Sequence, residues 1–363
     1  MPTHPVADLL RPELAELSAY VPHPGNYAIR LDANEAPPLL SPGARARLAE
    51  VAAGISYERY PDASVEKLRA ALASHCQVNA NEVLVGVGSD EVIALMVSAL
   101  SRPRAGADAP VVLTTTPSFV MYAMNARMRA QRVLEVPLGA DWDLATPSLL
   151  AAVRVAEPGL VFIASPNNPT GNKMSLDRLV TLIEAVPRSL VVVDEAYIDY
   201  SDVNQLELYR RYPNVAVLRT LSKVGFAALR VGWLLAAPEL VQELDKFRPP
   251  YNMSSISQEL ATTAVSELWP EIREIIATVV SERARLTQAL NSLPGLSVTP
   301  SQANFLWVKT EKPAQVLFEN LKSRGILVRS FHSRGGRLAH QLRITIGSPS
   351  ENDALLSALI DLV

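Results

Sequence analysis

Residues 190–197 read LVVVDEAY, a run that is apolar at its first four positions and then stops on two acids. A half-buried strand alternates apolar and polar residues, so an unbroken apolar run marks a strand covered on both faces. A carboxylate closing such a strand lies at the rim of the sheet and is costly to bury unless something pairs with it. Similar strand-like runs occur on either side: Val83–Val87, Val111–Thr115, Arg132–Val136, Leu160–Ala164, Val215–Arg219 and Val231–Leu235. Helical patterns such as Asp90–Leu100 and Leu176–Ala185 lie between most of them. The alternation predicts an α/β sheet with helices on both faces.

Beyond it, residues 254–290 read as long helix. Residues 296–363 mix strands (Phe305–Val308, Ile326–Arg329, Leu342–Ile346) with helices (Pro313–Lys322, Glu351–Leu362), a smaller α+β unit. The expected division is a Pro-rich arm over 1–30, a large domain over 31–250 and a small domain over 251–363, with the arm and the start of the chain partly packing with the small domain. A length of 363 residues suits one large unit plus a smaller one.

Composition narrows the function. With 48% hydrophobic and 20% charged residues the chain can bury a sizeable core. A net charge of −3 gives no general attraction to nucleic acid or anionic membrane, so an anionic ligand needs a local site. The single cysteine, Cys76, allows no internal disulfide, fits a reducing compartment, and reads as a small buried or half-buried residue. Pro2, Pro5, Asp8 and Pro12 interrupt the start where a signal peptide needs apolar residues, and no apolar run reaches the roughly 18 residues of a membrane span. A cytoplasmic protein without membrane or nucleic-acid partners is expected. Five histidines and one cysteine show no ligand spacing, so no metal is expected.

Ligands of open α/β sheets bind beyond the carboxyl ends of the strands. After Val83–Val87 comes Gly88-Ser89-Asp90-Glu91 opening a helix, which suits a phosphate and equally suits an ordinary cap by Ser89 or Asp90. After Val111–Thr115 come Phe119 and, one turn on, Tyr122, aromatics that can stack on a planar cofactor or pack on the sheet. After Leu160–Ala164 comes SPNNPTG (165–171), a stiff turn whose Asn168 amide can donate to a phenolate-type oxygen. Asp194 can meet a cationic ring nitrogen, with Tyr197 as a nearby donor. After Val215–Arg219 comes Thr220-Leu221-Ser222-Lys223, with Arg230 seven residues on. A pocket lysine can bond a carbonyl carbon, and a serine with an arginine can hold a phosphate. Singly, each feature reads as well as a cap, a turn or a surface residue. Together they are the groups pyridoxal 5'-phosphate needs.

The ensemble resembles the fold type I pyridoxal-phosphate enzymes, and within them the histidinol-phosphate aminotransferase family. The likeness runs through LDANEAP (31–37), YERYP (57–61), VGVGSDEVI (85–93), TPSFVMY (116–122), SPNNPTG, VVVDEAYIDY (191–200), RTLSKVGFAALRVGW (219–233), NFLWV (304–308) and LRITIG (342–347). It implies a large domain with a mostly parallel seven-stranded sheet and a smaller α+β domain. It implies that Lys223 carries the cofactor through its amine and shuttles a proton. Asp194 would bond the ring nitrogen, Asn168 and Tyr197 the ring oxygen, and Phe119 would stack on the ring. Gly88, Ser89, Asp90 (through its backbone), Ser222 and Arg230 would hold the cofactor phosphate. Tyr60 would reach the phosphate in a second copy, making a homodimer with shared sites. Arg343 would hold the carboxylate of glutamate, Arg329 and Tyr20 the phosphate of the substrate, and Asn34 would lie near its amine. Many relatives have Tyr where Phe119 stands, and some have one more residue between lysine and arginine. The stretch Phe331–Gln341 matches no motif, and His332 and His340 read as surface residues.

The implied reaction is amino transfer between L-histidinol phosphate and 2-oxoglutarate in histidine biosynthesis. An aromatic amino-acid aminotransferase for phenylalanine or tyrosine is the alternative on the same scaffold, followed by a phospho-amino-acid decarboxylase. A cofactor-binding transcription regulator needs a DNA-binding domain, for which a pattern starting at residue 31 leaves no room.

Overall fold

The computed structural model describes residues 6, 9–11, 19, 23–104 and 107–362. Its strands, in chain order, are β1 (Ile29–Leu31), β2 (Val83–Val87), β3 (Val111–Thr116), β4 (Arg132–Pro137), β5 (Leu160–Ala164), β6 (Leu190–Asp194), β7 (Val215–Thr220), β8 (Val231–Leu235), β9 (Leu296–Thr299), β10 (Phe305–Thr310), β11 (Ile326–Ser330) and β12 (Gln341–Thr345).

The continuous apolar runs form a seven-stranded sheet in the order β2-β8-β7-β6-β5-β3-β4. Every neighbouring pair is parallel except those of β8, which runs against both β2 and β7. The carboxyl ends of β2, β3, β5, β6 and β7 therefore share one edge. All five residues of β5 and all six of β7 are buried, as the lack of alternation requires. Helices cover both faces. Leu176–Ala185, for example, turns Leu179, Leu182 and Ile183 inward at helical spacing. Burying a side chain of this size contributes about 1.5–3 kcal/mol.

The second sheet runs β1-β11-β12-β10-β9 and is antiparallel apart from the β1–β11 pair. β1 lies at the start of the chain yet pairs with Ile326–Val328. The division drawn at residue 31 thus falls inside a strand of the C-terminal sheet.

The long helix expected over 254–290 is two helices, Ser255–Ser266 and Trp269–Asn291. Pro270 is the reason. It has no N–H to donate and its ring would clash with the carbonyl four residues back, so it starts a new helix instead of continuing the old one. Cys76 is buried. His332 and His340 are half-buried, not surface residues. His332 Nδ1 lies 2.7 Å from Ser330 Oγ, and His340 Nδ1 lies 3.0 Å from the Thr310 carbonyl oxygen. Among the described residues no helix is long and apolar enough to cross a membrane.

Candidate active site

The carboxyl ends of the large sheet and the edge of the small one enclose a cavity of about 340 Å³. One end is built by the turn after β2. Gly88 has φ +75, a backbone open to glycine, and a Cβ there would lie 2.6 Å from a guanidinium nitrogen of Arg230. The turn is closed by the Gly88 N–H donating to the Arg230 carbonyl at 2.7 Å. Neither Ser89 nor Asp90 caps the helix Gly88–Ala99, which has no side-chain cap. Their first-turn N–H groups have no intrahelical acceptor and carry the positive end of the helix dipole. Arg230 donates to Ser222 Oγ at 3.5 Å and pairs with Asp90 at 3.3 Å. Ser89, Asp90, Ser222 and Arg230 all line the cavity. This end has the free N–H groups, hydroxyl and guanidinium that could hold a phosphate.

The middle is flanked by Phe119, Asn168, Asp194, Tyr197 and Lys223. Asp194 is 4% exposed. It accepts from the Tyr122 hydroxyl and from the Ala196 N–H at 2.9 Å, and forms no ion pair among the described residues. Burial pushes its carboxyl up to about 6, with the Tyr122 bond acting against that rise. A carboxyl in this state fits a cationic ring nitrogen, which would offset its lost solvation. Lys223 Nζ lies 5.7 Å from the centre of the Tyr197 ring and has no hydrogen-bond partner among the described residues. Its amine is therefore open to a ligand. Asn168 Oδ1 accepts from Arg343 at 2.6 Å, which leaves the amide N–H₂ as the end available to a ligand. Asn34, 1% exposed, donates to the Tyr197 hydroxyl at 2.9 Å, so that hydroxyl keeps its own proton to give.

The far end is basic, with Arg329, Arg334 and Arg343 on the wall. Arg343, 9% exposed, also donates to the Asp32 carbonyl. Tyr60 does not line this cavity. It is 83% exposed and stacks on Tyr251 at 4.8 Å. Tyr20 lies outside the described residues.

Several supporting residues escaped the sequence reading. Tyr122 was read only as an aromatic. Its ring lies 4.7 Å from Phe162 and 2° from parallel, while its hydroxyl reaches Asp194. Of the two asparagines in SPNNPTG, Asn167 is the structural one, fully buried and donating to Pro117 O at 3.1 Å and Thr170 Oγ1 at 2.8 Å. Glu195 and Arg219 form a buried ion pair at 2.7 Å between the ends of β6 and β7. Gly232 backs the phosphate cradle, where a Cβ would come 2.3 Å from the Ser89 nitrogen. A glycine beside the basic LR of LRVG was the available signal for that close approach.

An α/β sheet ending on a buried acid, a free lysine amine and a phosphate cradle defines a transferase of the fold type I class. Comparison with known proteins agrees. Residues 27–359 match the family described as aminotransferase class I and II. A histidinol-phosphate aminotransferase of Chromobacterium violaceum is 41% identical, with 98% of each chain covered. One of Methylibium petroleiphilum is 38% identical over 98% of this chain and 94% of its own. The crystal structure of histidinol-phosphate aminotransferase from Sinorhizobium meliloti in complex with pyridoxal-5'-phosphate superposes with a TM-score of 0.85, at 26% identity and 97% coverage of both chains. The chain belongs to the class I and II aminotransferases, in the histidinol-phosphate aminotransferase family.

Proposed function

We propose that the protein is a pyridoxal-phosphate-dependent aminotransferase that exchanges the amino group of L-histidinol phosphate with the keto oxygen of 2-oxoglutarate, giving imidazole-acetol phosphate and L-glutamate in histidine biosynthesis. One observation carries this reading. A single cavity holds a free Lys223 amine, a buried Asp194 without a cationic partner, and a wall of arginines facing them. The donor set fits the cofactor: a phosphate cradle, a buried carboxyl for the ring nitrogen, and two donors for the ring oxygen.

When bound, the cofactor supplies a carbonyl carbon for amines and a cationic ring that accepts the electron pair left when the substrate carbon loses its proton. The chain's own residues do the rest. Lys223 would hold the cofactor through its amine, and that amine would serve as the base that takes the proton from the substrate carbon and gives it back. Asp194 keeps the ring nitrogen protonated. Asn168 and Tyr197 donate to the ring oxygen, and Phe119 covers the ring face. Ser89 and Asp90 through backbone N–H groups, with Ser222 and Arg230, bind the cofactor phosphate, and Gly88 shapes the turn that brings that backbone to it. Arg343 binds the carboxylate of glutamate, Arg329 the phosphate of the amino alcohol, and Asn34 lies by the amine.

We further propose a homodimer in the cytoplasm, with Tyr60 of each copy reaching the cofactor phosphate of the other. An exposed pair of stacked aromatics, Tyr60 and Tyr251, supports such a contact.

The test is a single-turnover spectrum of the cofactor-loaded protein mixed with L-histidinol phosphate. Conversion of the pyridoxal band to the pyridoxamine band, absent in Lys223→Ala, supports the reaction. Conversion by L-phenylalanine or L-tyrosine alone moves the assignment to aromatic amino acids. No cofactor band at all overturns it.

A further inference from the structure

The stretch between β11 and β12 matched no motif, yet it forms part of the cavity wall. It folds as two short turns, His332–Arg334 and Gly336–His340, joined at Gly335 with φ +69. Phe331 and Arg334 from it line the cavity beside Arg329 and Arg343.

The charges at this end do not balance. Among the described residues, neither the Arg329 nor the Arg334 side chain forms a hydrogen bond or an ion pair. The cavity's carboxylates are engaged elsewhere: Asp32 bonds Arg30 at 3.2 Å, Asp90 bonds Arg230 at 3.3 Å, and Asp194 accepts from Tyr122 and Ala196. Arg343 is already engaged with Asn168 and the Asp32 carbonyl. Two guanidiniums without a protein anion exceed what the single carboxylate of an amino acid requires. They match the two charges of a phosphate monoester, which guanidinium forks bind well.

The stretch that carries Arg334 is anchored three residues on, at Arg337. Arg337 donates to the Gly139 carbonyl at 2.7 Å and to the Leu138 carbonyl at 2.8 Å, and its guanidinium carbon stands 3.8 Å from the centre of the Trp142 ring. An edge-to-face chain continues from Trp142 to Trp307 at 5.7 Å and from Trp307 to Phe331 at 4.9 Å. The stretch is thus docked on the loop after β4 by a fork and a ring stack that an ammonium group cannot reproduce together.

Resting on the reaction proposed above, we infer that Arg334 is a specificity-determining residue that binds the phosphate ester of the substrate alongside Arg329, and that Arg337 is the positioning residue that keeps it there. The selectivity for a phosphorylated amino alcohol over an unphosphorylated amino acid then lies partly in a stretch outside the family motifs.

The experiment uses the cofactor-loaded enzyme and both half-reactions. Arg334→Ala is expected to raise KM for L-histidinol phosphate roughly 10- to 100-fold, the loss of hydrogen bonds to a charged group. KM for L-glutamate should move far less. Arg334→Lys should recover part of the loss. Arg337→Ala should shift the same constant in the same direction, and Arg337→Lys should not restore it. Inorganic phosphate, titrated calorimetrically into loaded enzyme whose cofactor-phosphate cradle is filled, should bind more weakly to Arg334→Ala than to wild type. Equal KM for L-histidinol phosphate in wild type and Arg334→Ala, or an equal rise for both substrates, overturns the inference. If wild type does not turn over L-histidinol phosphate, the proposed reaction falls. The phosphate titration still decides the role of Arg334, and equal affinities overturn it.

Discussion

Tyr122 donates its hydroxyl proton to Asp194, and among the described residues the only other donor to that carboxylate is the Ala196 N–H. The bond opposes the rise that burial imposes on the carboxyl. Tyr122→Phe keeps the ring on Phe162 and removes only this donor. Its loss should weaken the ionised carboxylate by about 1.5–3 kcal/mol. The acid limb of the pH–rate profile should move to higher pH, with kcat lowered about tenfold for each ~1.4 kcal/mol of lost stabilisation. An unchanged profile would show that Asp194 does not depend on Tyr122.

The buried Asp194 also makes a prediction for stability in the cofactor-free protein. Its carboxyl titrates near 6 when folded, above its ordinary value of 3.8. Between those values the folded state binds more protons than the unfolded one, so this group's contribution falls as pH rises through the window and the penalty is complete above about pH 6. Asp194→Asn should therefore gain on wild type as pH rises from 4 to 6, by up to about 2–3 kcal/mol. Denaturant midpoints across that range measure it, and a constant difference would contradict it. With cofactor bound the order should reverse, because a cationic ring nitrogen then pairs with the aspartate.

Glu195 and Arg219 are buried partners, their side chains 0% and 10% exposed. Removing one leaves the other charged in the interior. Arg219→Met should destabilise the protein by about 3–5 kcal/mol, and Glu195→Gln somewhat less because its amide still fills the site. Thermal unfolding of single and double variants would show strong non-additivity if the pair is the unit.

Gly232 packs directly against the backbone of Gly88 and Ser89, behind the phosphate cradle. Gly232→Ala puts a methyl against the Ser89 nitrogen, a backbone atom that cannot turn aside. Cofactor affinity should fall at least tenfold while far-ultraviolet circular dichroism stays unchanged, as measured by fluorescence titration.

The large sheet was legible because its central strands are covered on both faces, and β2, β5 and β8 have the limits that their apolar runs gave. The strand-end residues were legible for a related reason: polar groups stopping an apolar run have few structural explanations. What the sequence hid depended on distant pairing. β9, at the edge of its sheet, carries only LSVT, and β1 is three residues whose partner lies at Ile326–Val328. Arg334 and Arg337 belong to turns without periodicity, so only the folded chain brings them to the cavity and to Trp142.

β1 and its parallel partner β11 also set a schedule. During synthesis the chain emerges from its amino end, and a domain generally waits for its own contacts before closing. The centre of the large sheet, β5 to β7, can assemble soon after it is made. Leu31 cannot settle until Val328 has been translated, and the Asp32 carbonyl waits for Arg343. A nascent chain therefore carries most of the cofactor cradle before it owns the wall that recognises substrate. Chains released before β12 should bind cofactor poorly or not at all and offer apolar strand edges to chaperones. The order of manufacture and the order of completion run in different directions, and the catalytic pocket is among the last parts to exist.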